Sequence, residues 1–83
     1  MNFYNWMMKN YRNEQSPKGD LAGDMHLDRM NFPRNKARNF DDEHELILGY
    51  LNMADACDGC IDAFEECWKE YVECEKSRLS RNW

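Results

Sequence analysis

Long apolar runs are missing from this 83-residue chain, and no stretch approaches the roughly 18 apolar residues that a membrane-spanning helix needs. The first segment, Met1 to Glu14, carries Lys9 and Arg12 but no apolar core followed by small cleavage-site residues. It is therefore expected not to be a signal peptide, and the cytosol, where thiols stay reduced, is the expected compartment. Alternation of period two is absent, which excludes a sheet. Internal repeats and low-complexity tracts are lacking as well. So is a glycine-rich loop for phosphate, and the only histidines are His26 and His44. Ser16, Ser77 and Ser80 fall at capping or tail positions, so acid–base or triad chemistry has no evident residues. No catalytic residue, cofactor or small-molecule substrate is expected, and an enzyme is not.

The mean hydropathy of −0.98 suggests disorder, yet that scale counts Trp and Tyr as mildly polar, and aromatics make up 13% of the chain. Three Trp, four Tyr and four Phe can furnish one core, each burying roughly 150–250 Å². A chain this short hides only about 60–65% of its unfolded surface, so a second core does not fit. Residues 1–75 are expected to form one domain and 76–83 a basic tail ending at Trp83. The net charge of −5 hides an asymmetry: residues 1–40 carry seven basic and four acidic side chains, and residues 41–83 carry four and twelve. Two faces of opposite sign are expected.

Phe3, Trp6, Met7 and Tyr11 fall on one helical stripe behind a capping Asn2. Ser16-Pro17 reads as an N-cap followed by proline at the first helical position, with a helix to about His26 that buries Leu21, Ala22 and Met25. From Asp28 to Asn39 the sequence predicts an ordered loop pinned by Phe32. A third helix is expected from Asp41 or Asp42, with Asp42 and Glu45 in capping-box spacing and Leu46, Ile47, Tyr50 and Leu51 buried. A break is expected near Gly59. In the last helix Ile61, Phe64, Trp68, Tyr71 and Val72 share one side, and Asp62, Glu65, Glu66, Lys69 and Glu73 the other.

With these elements placed, four blocks resemble the YozE family: Phe3-Tyr4-x-Trp6; Gly19-Asp20-Leu21-Ala22 with Asp24, Asp28 and Phe32-Pro33; Tyr50-Leu51; and Phe64, Trp68 and Tyr71. The resemblance spans roughly residues 2–72. It implies an all-α, SAM-like (sterile-alpha-motif-like) compact bundle of four to five short helices, of a kind found in small bacterial and phage proteins. It implies no catalytic residues, and such folds serve protein association and sometimes nucleic-acid binding. The core is expected to be Phe3, Trp6, Leu21, Phe32, Tyr50, Leu51, Phe64, Trp68 and Tyr71.

Three functional readings follow. The first is a protein-interaction module, either a bacterial regulator or a phage-encoded modulator, that meets a protein partner through the acidic face of Asp62, Glu65, Glu66 and Glu73. The second is nucleic-acid binding through Arg29, Arg34, Lys36 and Arg38, whose charges would neutralise phosphates. The third is a thiol or zinc module, since Cys57-x-x-Cys60 has ligand spacing and Cys67 and Cys74 follow. Cys60, Cys67 and Cys74 lie seven apart on one helix, about 10.5 Å from neighbour to neighbour, too far to share a metal or a disulfide. Packing as small hydrophobes is their expected role, and no metal is expected. Asp20, Asp24 and Asp28, spaced by four, form an acidic ridge whose ordinary fate is solvation.

Overall fold

Each of the first three helices starts where a side chain can replace a hydrogen bond that the first amides lack. The structure, a computed structural model, describes residues 1–34 and 38–80. Four helices make it up: α1 (Phe3–Tyr11), α2 (Pro17–Leu27), α3 (Phe40–Met53) and α4 (Asp58–Ser80). The Asn2 side chain accepts from the Asn5 amide at 2.8 Å, and the Ser16 hydroxyl accepts from Gly19 at 3.1 Å with Pro17 at the first helical position. The third start differs from the sequence reading. Asn39 is the cap, accepting from the Asp42 amide at 2.9 Å, and the helix opens at Phe40.

The end of α3 is also placed differently from expectation. Asp55 adopts φ 60°, and its neighbours close a Schellman motif: Ala56 N–H donates to Leu51 O at 3.0 Å and Asp55 N–H to Asn52 O at 3.2 Å. The break therefore falls at 54–57, and Gly59 lies inside the first turn of α4. The Cys57 carbonyl begins that turn, accepting from Cys60 and Ile61 at 3.0 Å each.

α4 is the spine. It packs on α1, α2 and α3, and α1 also packs on α2. The interior is aromatic, and Phe3, fully buried, is its hub. The Phe3 ring stands 5.5 Å from Phe64, 5.3 Å from Trp68, 5.4 Å from Tyr71 and 6.2 Å from Trp6. These centroid spacings are those of favourable edge and offset ring pairs. A second group forms around Phe32, whose ring lies 5.9 Å from Tyr4 and 5.2 Å from Tyr50, so residues 28–34 of the expected loop are pinned there, while 35–37 lie outside the described residues. Phe3, Trp6, Leu21, Phe32, Leu51, Phe64 and Tyr71 are buried, with Tyr50 and Trp68 half-buried at the margin. One position departs from the sequence reading, Leu46, which is 43% exposed; Cys67 is completely buried, as a cysteine packing as a small hydrophobe would be. Trp83, and the tail beyond Ser80, lie outside the described residues.

Gly19 serves as a spacer where α2 meets the end of the α1–α2 turn. A Cβ there would stand 1.7 Å from the Glu14 carbonyl oxygen, so a side chain at this position requires the turn to move.

Candidate interaction groove

Packing α2 against α4 sets two sets of carboxylates opposite one another. Asp20 and Asp24 project from α2, and Asp62 and Glu66 from α4, one turn apart on each helix. The four line a groove of about 560 Å³ whose apolar surface comes from Pro17, Leu21 and Ala63. No Lys or Arg is among its described lining residues. The nearest paired cation is Lys18, whose ammonium is 3.9 Å from Glu66 but 2.5 Å from Glu70, so its main partner is the latter.

The acidic face read from the sequence is thus divided. Asp62 and Glu66 face the groove, Glu73 is exposed on a later turn, and Glu65 turns toward α3, where its Oε1 is 2.6 Å from His44 Nε2. Asp20 and Asp24, read as a solvated ridge, join Asp62 and Glu66. Asp28 does not: it accepts from the Tyr50 hydroxyl and, at 2.8 Å, from the Asn31 amide group. The wheel of each helix shows its own acids, but only the packing of one helix on the other brings the two rows together.

The basic residues are also distributed. Arg34 and Arg38 line a second cleft, of about 480 Å³, with Asn39 and Phe40. Arg34 sits over the Tyr4 ring at 4.9 Å, and Arg38 is 3.6 Å from Asp42. Arg29 is outside that lining and donates to the His26 carbonyl at 2.9 Å. Lys36 lies outside the described residues. The same cleft contains the carboxylate of Glu43, which accepts from the Phe3 amide at 2.9 Å and lies 2.9 Å from the Tyr71 hydroxyl. Burial first, and then Glu43, push the Tyr71 phenol well above its usual range.

Two polar clusters hold the helices in register. At the N-terminus, the Met1 ammonium is 3.6 Å from Glu75, itself 2.9 Å from Arg78, and the Tyr71 hydroxyl lies 3.0 Å from the Met1 carbonyl. On the opposite edge Glu70 accepts from Lys18 and from the Tyr11 hydroxyl, joining α1, α2 and α4. Burial raises the Glu70 carboxyl, but the Lys18 and Tyr11 hydrogen bonds outweigh it and hold the group below its ordinary value. The same bond to Glu70, with burial second, pushes Tyr11 up to about 12.

A depressed carboxyl stabilises the fold above its unfolded pKa, and that contribution is lost as pH falls through the folded value. Glu70→Gln is therefore expected to lower the melting temperature at pH 7. The gap to wild type should close as the pH drops below about 4.5, the group's ordinary value. Thermal melts followed by circular dichroism at pH 7 and pH 3 check this, and an unchanged gap would contradict it.

Glu43, Glu70, Glu75 and His44 carried no sequence signal, because each acts across elements. His44 lies between two rings, 5.2 Å from Phe64 and 5.3 Å from Trp68. The cysteines are free thiols: Cys67 is buried, Cys60 half-buried, and Cys57 and Cys74 exposed. Cys57 and Cys60 both line the groove, at its end nearest the α3–α4 turn. Among the described residues no group of three or more His, Cys, Asp or Glu is placed to hold a metal. Likewise, no described helix is long and apolar enough to cross a membrane.

Comparison with known proteins adds one relationship. No curated protein and no solved structure matches the chain. The family model described as the YozE SAM-like fold matches residues 2–73, which takes in all of α1, α2 and α3 and the buried apolar residues Ala63, Phe64, Cys67 and Tyr71 of α4. An all-helical bundle with an aromatic interior over that span agrees with it, and the chain belongs to the YozE SAM-like family.

Proposed function

We propose that this protein is a non-enzymatic interaction module whose α2–α4 groove receives a Lys- or Arg-bearing segment of a partner protein. The observation that carries the reading is the groove itself: four carboxylates around an apolar floor, with no described basic residue in the lining. A long basic side chain suits that arrangement, because its aliphatic stem can lie on Pro17, Leu21 and Ala63 while its charge sits among the acids. Such pairing favours specificity and encounter rate as much as affinity. His44 is engaged within the fold, held by Glu65 and two rings.

The test uses a fluorescent peptide rich in Lys and Arg and reads its anisotropy at low salt. A variant carrying Asp24→Asn, Asp62→Asn and Glu66→Gln is expected to bind about tenfold more weakly, the scale of one lost charge-assisted contact. Glu73→Gln is expected to bind as wild type does. Equal binding by all three proteins, or none at low salt, would sink the reading.

Nucleic-acid binding at Arg34 and Arg38 is the second reading, favoured by their shared cleft with Asn39 and Phe40. Opposing it, Glu43 stands in that cleft and both guanidinium groups already have partners within the chain. A gel shift at low salt decides it, since phosphate contacts strengthen as salt falls.

A further inference from the structure

We propose that Cys57 and Cys60 are a redox-active dithiol that closes into an intrachain disulfide by exchange with small-molecule disulfides. The site stands on the start of α4 and does not depend on what the groove binds. The Cys57 carbonyl accepts from the Cys60 amide at 3.0 Å, so the two cysteines span one helical turn. Residues three apart on a turn have Cβ atoms about 5–6 Å apart, and a disulfide needs about 3.5–4.5 Å. The remaining ångström or so is within reach because Cys57 precedes the first helical residue and is not fixed by helical dihedrals. Gly59, between them, stands in open space, with nothing within 4 Å of where a Cβ there would lie.

The two side chains also look into common space. Both line the groove, and both line an adjoining cavity of about 200 Å³ walled by Leu21, Met25 and Leu51. Burial, followed by the neighbouring Cys57 and then Asp24, pushes the Cys60 thiol up, which agrees with two sulfurs close together. The other two cysteines are excluded as partners. Cys67 is buried, and Cys74 is fourteen residues beyond Cys60, about 21 Å along α4.

Accessibility sets the order of events. The exposed Cys57, as thiolate, attacks one sulfur of a disulfide RSSR, giving the mixed disulfide Cys57–S–SR and releasing RS⁻. Cys60, half-buried one turn away, then loses its proton to solvent and attacks the Cys57 sulfur, forming the Cys57–Cys60 bond and expelling the second RS⁻. Two protein thiols are oxidised by two electrons, RSSR is reduced to two thiols, and the protons pass from protein to the leaving thiolates.

The experiment treats the folded 83-residue chain, carrying Cys74→Ser to remove the other exposed thiol, with glutathione disulfide. Intact mass and peptide mapping follow. The expected product is lighter by two hydrogen atoms, contains a Cys57–Cys60 link, and leaves Cys67 open to alkylation once denatured. Adding Cys60→Ser should instead trap one glutathione on Cys57. A persistent glutathione adduct when both thiols are present, a dimer linked through Cys57, or thiols that stay fully alkylatable would each overturn the proposal.

Discussion

Phe3→Ala should cost about 3–5 kcal/mol, the usual range for removing a fully buried ring from a packed interior. A domain of this size has only about 4–12 kcal/mol to lose, so the variant is expected to be largely unfolded at 37 °C or to melt at least 15 °C lower. The magnitude follows from position. Phe3 is 0% exposed and touches the rings of Trp6, Phe64, Trp68 and Tyr71, so its loss removes the α1 side of the interface with α4. Trp68→Ala should cost less, because Trp68 is only half-buried at the margin. Denaturant melts of both variants check the ordering, and a cost below about 1 kcal/mol at Phe3 would show that the interior is not organised around it.

Gly19→Ala should destabilise by about 1–3 kcal/mol, although alanine is the better helix former. The methyl group would meet the Glu14 carbonyl at 1.7 Å, and that carbonyl cannot retreat freely. Glu14 is tied by its amide to Tyr11 at 3.1 Å and by its carboxylate to Ser16 at 2.6 Å. Gly49→Ala is the control. It lies in α3 with nothing within 4 Å of the new methyl, and should stabilise by about 0.5–1 kcal/mol through backbone entropy alone. Opposite signs at two helical glycines would separate the steric role of Gly19 from ordinary propensity. Equal signs would remove the case for a spacer.

Local chemistry explains which parts of the fold were readable in advance. Asn2 and Ser16-Pro17 stand alone as capping signals, and both helices begin where they direct. Before α3 the signal is crowded: Asp41, Asp42 and Glu45 imitate a capping box and mask Asn39. The choice is made by a distant residue, since Phe40 packs edge-on against Tyr71 at 5.9 Å and is drawn into the helix. Gly59 misleads for a related reason. Glycine is the usual residue for a left-handed helix end, but here Asp55 takes that conformation and Gly59 is left to the first turn of α4.

The candidate groove was less legible than the fold because it belongs to no single segment. The sequence grouped Asp62 and Glu66 with Glu65 and Glu73 by their shared helix, whereas the structure groups them with Asp20 and Asp24 by shared space. More than thirty residues separate the two rows, and nothing short of the α2–α4 packing relates them. The stabilising acids were hidden in the same way: Glu43, Glu70 and Glu75 look like solvated charge along the chain, but in the fold Glu43 and Glu70 accept from residues on other helices and Glu75 is ion-paired to the Met1 ammonium.

Whether the α2–α4 groove receives a basic segment is decided by titrating a Lys- and Arg-rich peptide into isotopically labelled protein, with amide shifts followed residue by residue. Saturable perturbations are expected at Asp20, Asp24, Asp62, Glu66 and the residues flanking them, diminishing as salt is raised. Shifts centred instead on Glu65 and Glu73, or on the cleft at Arg34 and Arg38, would contradict that.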